Sequence, residues 1–174
     1  MDKQEFWRII DASRLAAEGH VERQIDTLRE ELLALSPAAI VEFDGIFHEY
    51  DARAYHWDLW AAAYIIGGGC ADDGFSDFRS WLISRGEKVF EAALTNPESL
   101  LDVITEDDLD LDCQCEPIAY VAVQTWEEKT GKTFEDYPEL TVDYPAEPQG
   151  EEWPEEGDEL EKRFPKLCAR FEFS

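Results

Sequence analysis

Apolar residues recur at three- and four-residue spacing from the start of the chain, the period of helices with one buried face. Asp2 with Glu5 three positions on is a capping-box variant, and Phe6, Ile9 and Ile10 behind it predict a first helix ending near Gly19. Val21, Ile25, Leu28 and Leu32 predict a second over 20–35. Ser36-Pro37 opens a third, with Ile40, Phe43, Phe47 and Tyr50 inward. Residues 55–66 differ: Trp57, Leu59, Trp60, Ala61, Ala62, Ala63, Tyr64, Ile65 and Ile66 leave no polar face. A helix apolar all round belongs in the interior. Gly67-Gly68-Gly69 ends it, with the first glycine expected in the left-handed cap. Asp73 is expected to cap a helix over 74–85, with Phe75, Phe78 and Leu82 as its core stripe and Gly86 as its stop.

A short helix follows over 87–94, and Asn96-Pro97 starts another turn or two through Leu100 and Leu101. Residues 102–116 read as an acidic connector, and Pro117 to Lys129 as a second strongly apolar helix stopped by Gly131. From Phe134 onward prolines recur at 138, 145, 148, 154 and 165, which predicts an extended tail with a short helix near Gly157–Arg163. Its aromatics predict that it docks on the helical body. No strand alternation persists. The fold class is all-α: a single-domain helical bundle of about six to eight helices around a buried central helix (55–66). Residues 1–133 form the core, and the acidic, Pro- and aromatic-rich stretch 134–174 docks on it within the same domain.

Composition adds a large charge. The chain of 174 residues carries 41 acids against 15 Lys and Arg, a net charge of −26, and still 44% hydrophobic residues, enough for a real core. Residues 1–87 contribute −9 and residues 88–174 contribute −17. Such a field repels phosphate backbones and attracts basic proteins or cationic small molecules. No apolar stretch reaches membrane-spanning length. Met1-Asp2-Lys3 leads into an amphipathic helix rather than an apolar signal segment. The expectation is a cytoplasmic protein that binds neither nucleic acid nor membrane, with Cys70, Cys113, Cys115 and Cys168 reduced.

The candidate chemistry gathers in 54–86. Arg79 falls on the buried side of its helix beside Phe75 and Phe78, and a buried guanidinium needs a carboxylate in bidentate contact. Asp58 and Asp72 are the expected partners. Either an ion pair that only fixes packing or a clamp for an anionic group fits that arrangement. His56 with Asp58 is the obvious base–orienter pair, so His56, Asp58, Asp72 and Arg79 are the catalytic candidates. Trp60, Asp72, Asp73, Arg79, Trp81 and Arg85 are the ligand-binding candidates, and Asp77 lies in the same neighbourhood. The triple glycine lacks the spacing of a phosphate loop. His48-Glu49 begins like a zinc-protease motif, but Ala52 stands where its second His belongs. Asp108, Asp110 and Asp112 resemble the opening of a calcium loop, but Cys113 replaces its glycine and Ala119 its closing Glu. Cys113-Gln-Cys115 has no second pair at metal-ligand spacing. No metal and no cofactor is expected.

Phe6-Trp7, LWAAAYIIGGGCADDGFSDFRSWLISRG at 59–86, ALTNPESL at 93–100, YVAVQTWEEKTG at 120–131 and FPKL at 164–167 resemble the bacterial family called domain of unknown function 4240. The resemblance implies a helical bacterial protein and no assigned activity. It points to Asp72, Asp73, Phe78, Arg79, Trp81 and Gly86 as a site, with Ala71 standing where the family usually has Ser. Two readings remain open. One is a non-catalytic binding protein whose acidic surface covers a basic partner, as immunity and inhibitor proteins do. The other is a small enzyme with a central pocket built from Asp58, Asp72, Arg79 and His56.

Overall fold

The computed structural model describes residues 1–154 and 158–173. Among these residues the chain is all-α, with ten helices, seven of them nine residues or longer. They are α1 (Lys3–Ala16), α2 (Val21–Leu33), α3 (Pro37–Ala54), α4 (Trp57–Gly67), α5 (Asp72–Ser84), α6 (Glu87–Thr95), α7 (Glu106–Leu109), α8 (Glu116–Thr130), α9 (Glu159–Arg163) and α10 (Pro165–Arg170). Of the expected short helix near Gly157–Arg163, α9 covers 159–163, and Gly157 lies outside the described residues.

Local chemistry sets the starts. The Asp2 carboxylate accepts from the Glu5 backbone N–H to open α1, and the Ser36 hydroxyl accepts from the Ala39 N–H to open α3 with Pro37 in the first turn. At the start of α5 the sequence reading is corrected. Ala71 occupies the cap without a side-chain hydrogen bond, and Asp72 and Asp73 lie exposed in the first turn, where negative charge suits the helix dipole. The end of α4 also shifts by one residue. Gly67 is its last helical position and Gly68, at φ +65°, takes the left-handed cap.

Packing joins α1 to α2 and sets α8 against α2, α3 and α5. The inner side of α4 is buried through Leu59, Ala61, Ala62, Ala63, Ile65 and Ile66. Its aromatic flank is only half-buried and lies beneath the C-terminal stretch: Trp153 packs on Trp57 and Tyr64 at ring-centroid distances of 6.3 and 5.0 Å, and Phe173 reaches Tyr64 at 5.7 Å. Burial runs longest along α5, where every residue from Phe78 through Gly86 is buried. That run includes two arginines. No helix among the described residues is long and apolar enough to cross a membrane.

Gly86 joins α5 to α6 at φ +94°, and a Cβ there would fall 2.5 Å from Asp11 Oδ1. Gly131 ends α8 at φ +68° with open space around it. Gly86→Ala is expected to cost about 2 kcal/mol or more and Gly131→Ala about 1 kcal/mol, since only the first adds a close contact to the backbone strain. Urea denaturation of the two variants measures the difference; equal costs would contradict the packing described here.

Candidate functional site

The Arg79 guanidinium is 5% exposed, and its partner is Asp51 of α3 rather than Asp58 or Asp72. Nε donates to Asp51 Oδ1 at 2.9 Å and Nη2 to Oδ2 at 3.4 Å, a two-pronged contact. Nη2 also donates to the Tyr144 hydroxyl at 2.8 Å, and that hydroxyl donates to Asp51 Oδ2. The guanidinium face lies 4.6 Å from the Phe75 ring centroid and 4.9 Å from that of Tyr55. Burial and the Asp51 charge push the Tyr144 phenol well above its ordinary value, so it stays a proton donor.

A matching contact sits two helical turns earlier. Tyr137 donates to Asp44 Oδ2 at 2.8 Å. Asp44 and Asp51 both lie on α3, seven residues apart, and so do the two tyrosines in the chain beyond α8. The backbones of Gln149, Tyr55 and Trp57 continue the pairing: Gln149 N–H donates to Tyr55 O at 2.9 Å, and Trp57 N–H to Gln149 O at 2.8 Å. One offset of 93 residues relates Asp44 to Tyr137, Asp51 to Tyr144 and His56 to Gln149. The stretch 134–154 is therefore a strap that runs along α3 in the same direction. It carries seven carboxylates and no Lys or Arg. Glu135, Asp136, Glu139, Asp143, Glu147, Glu151 and Glu152 are all exposed.

The other sequence-predicted residues scatter. Asp72 and Asp73 face solvent. Asp58 is 3.7 Å from Arg163 of α9. His56 caps α4, its Nδ1 accepting from the Asp58 N–H at 3.3 Å, and its ring packs so tightly on Gly150 that a Cβ there would lie 2.5 Å from Cε1. The structure does not bring His56, Asp58, Asp72 and Arg79 together. Trp60 stacks between Trp57 and Phe75 and donates to Cys70 O at 2.9 Å. Asp77 is half-buried, and burial together with Glu116 and Asp73 raises its carboxyl above the ordinary range.

Trp81 and Arg85 meet in a second buried network. Trp81 Nε1 donates to Asp108 Oδ1 at 2.8 Å. Arg85 donates to Gln24 Oε1 at 2.6 Å and to Gly19 O at 2.8 Å, with Asp108 Oδ1 3.7 Å away. Thr105 and Asp108 form a reciprocal capping box on α7 that fixes this carboxylate. Burial lowers Arg85 from its ordinary value, and Asp108 opposes that. The four cysteines are free thiols. Burial, with Asp77 nearby, pushes Cys70 up to about 11, which leaves it without thiolate character. Among the described residues no three His, Cys, Asp or Glu side chains converge as metal ligands would.

A family model described as "Protein of unknown function (DUF4240)" matches residues 1–128. The chain belongs to this family. No curated protein and no solved structure matches it. The matched stretch contains Asp51, Arg79 and the Arg85 network and ends before the strap, so the ion pair lies inside the family's region and Tyr144 outside it.

Sequence reasoning did not assign Asp44, Asp51, Tyr137, Tyr144, Gln24 or Asp108 to these networks, although Asp108 figures in the calcium-loop-like run and the tail aromatics are expected to dock. A signal existed for the first two. On a helical wheel Asp44 lies about 40° from Ile40 and Asp51 about 40° from Phe47, on the flank of the apolar stripe.

Arg79→Met strands a buried carboxylate and is expected to cost about 3–5 kcal/mol, with much of that loss recovered in an Arg79→Met, Asp51→Leu double variant. Urea denaturation across the cycle checks it; additive losses would show that the pair is not coupled. Burial holds the Asp44 carboxyl above the ordinary range, against His48 and the Tyr137 hydrogen bond. The folded chain holds that proton more tightly than the unfolded one. Its stabilising contribution is thus present below about pH 4 and is lost as pH rises through the folded value. Asp44→Asn, which cannot ionise, is expected to gain stability relative to the parent as pH rises above about 4. A pH-independent difference in urea midpoints would contradict this.

Proposed function

We propose that this protein is a non-catalytic binding protein that covers a basic surface of a partner, in the manner of immunity or inhibitor proteins, with the strap as the contacting face. The observation that carries the reading is the strap itself: seven exposed carboxylates, no basic residue among them, held against α3 by two tyrosine–aspartate hydrogen bonds. A flexible acidic tail would lose ordering entropy on binding, whereas carboxylates pinned to a helix are already placed. The basic residues offer little local neutralisation. Among the described residues, eleven of the 15 Lys and Arg pair with a carboxylate, which leaves a large surplus of acids. A cytoplasmic setting suits four unpaired thiols. The polar residues around α4 and α5 support no catalytic assignment, because Arg79 and Arg85 are taken up by Asp51 and Asp108 and the rest lie apart.

The test is selection from an immobilised library of Lys- and Arg-rich peptides. Binding of the selected peptides is then compared between the parent, a variant with Glu135, Glu139, Asp143, Glu147, Glu151 and Glu152 neutralised, and a control with Asp102, Glu106, Asp107, Asp110, Asp112 and Glu116 neutralised. The reading expects the strap variant alone to lose most affinity, and parent binding to fall about tenfold or more as salt rises from roughly 50 to 300 mM. Equal losses in both variants, or salt-insensitive association, would overturn it.

A further inference from the structure

Between α3, α8 and the start of the strap lies an open groove of about 870 Å³. Its walls are largely apolar and include Tyr120, Val123, Phe134, Tyr137 and Leu140. Tyr120 and Phe134 are 51% and 68% exposed, two of the few large apolar side chains so open to solvent. Among the described residues, the ionisable groups lining the groove besides tyrosine are Glu135, Glu139, Asp44 and His48.

Asp44 is 1% exposed. Tyr137 satisfies Oδ2, but Oδ1 is buried without a hydrogen-bond donor among the described residues. His48 Nε2, one turn further along α3, lies 3.6 Å from Oδ1, beyond hydrogen-bond length, on a side chain that is 39% exposed. A carboxylate oxygen left in this state is costly, and a donor that reaches it recovers that cost.

We propose that this groove binds a small organic cation, a primary amine on an aromatic or aliphatic body, whose ammonium donates to Asp44 Oδ1. The His48 imidazole covers that oxygen and swings toward solvent to admit the amine. Three features select this chemistry. The buried oxygen needs an N–H donor and favours a positive one. The rings of Tyr120, Phe134 and Tyr137 offer faces that attract a cation and flat surface for an apolar body. Glu135 and Glu139 set a negative rim that disfavours anions. The site does not depend on the strap's role toward a basic macromolecule.

The experiment is a titration of the protein with 2-phenylethylamine followed by amide chemical shifts. The matched anion 3-phenylpropionate tests the need for charge, and ethylamine tests the need for an apolar body. Saturable shifts centred on Ala119, Val123 and Leu140 are expected with 2-phenylethylamine alone. Asp44→Asn should weaken binding at least about tenfold, the loss of one charge-assisted hydrogen bond. His48→Ala uncovers the oxygen and should tighten it. Val123→Trp, which fills the wall without touching Asp44, should abolish binding and decides the matter if the Asp44 variant fails to fold. No saturation up to about 10 mM, equal binding of the anion, retained affinity in Asp44→Asn, or loss in His48→Ala would each overturn the proposal.

Discussion

A guanidinium buried in the middle of a helical bundle constrains everything around it. Arg79 sits on α5 between Phe78 and Ser80, and all three are buried. It can stay there only if a carboxylate faces it from a neighbouring helix and aromatic surface covers its plane. Asp51 supplies the first and Phe75 with Tyr55 the second. Those needs fix the register of α3 against α5. The hydroxyl of Tyr144 then bridges the pair from outside the bundle, accepting from Arg79 Nη2 and donating to Asp51 Oδ2, so the same ion pair that orders the core also anchors a distant stretch of chain.

The strap follows from that anchor. Helical residues seven apart lie about 10.5 Å apart along the axis, whereas seven extended residues reach more than 20 Å. The chain from Tyr137 to Tyr144 must therefore be irregular, and its prolines at 138 and 145 suit a path that is neither helix nor paired strand. Gln149 then meets the start of α4, where Trp57 has an N–H that no residue within its own helix can accept. One strap thus donates to two buried carboxylates of α3 and accepts from an orphan donor of α4 while leaving its own seven acids on the outside.

Much of the fold was legible because the helices are amphipathic and their punctuation is strong. Asp2, Ser36-Pro37, Gly86 and Gly131 mark ends that the structure keeps within a residue or two. The buried nature of Arg79 was legible for the same reason, since its position follows from the stripe of Phe75, Phe78 and Leu82. Its partner was not. Asp58 and Asp72 are close in sequence, but Asp51 is close in space, and only the packing of α3 on α5 decides between them. Periodicity gives each helix's face and leaves the pairing of faces open. The strap was harder still, because an irregular segment has no period to read, and its clue lay in two matching seven-residue spacings 93 positions apart.

The strap docks on α3 and α4 in the register set by Arg79, Asp51 and Tyr144. The amide protons of Trp57 and Gln149 report on it most directly, because each is bonded only across that junction. Native-state hydrogen exchange is expected to find both amides slow, and both faster together in Tyr144→Phe while amides inside α5 keep their protection. Exchange of Trp57 and Gln149 at the rate of an open loop in the parent protein would contradict the claim.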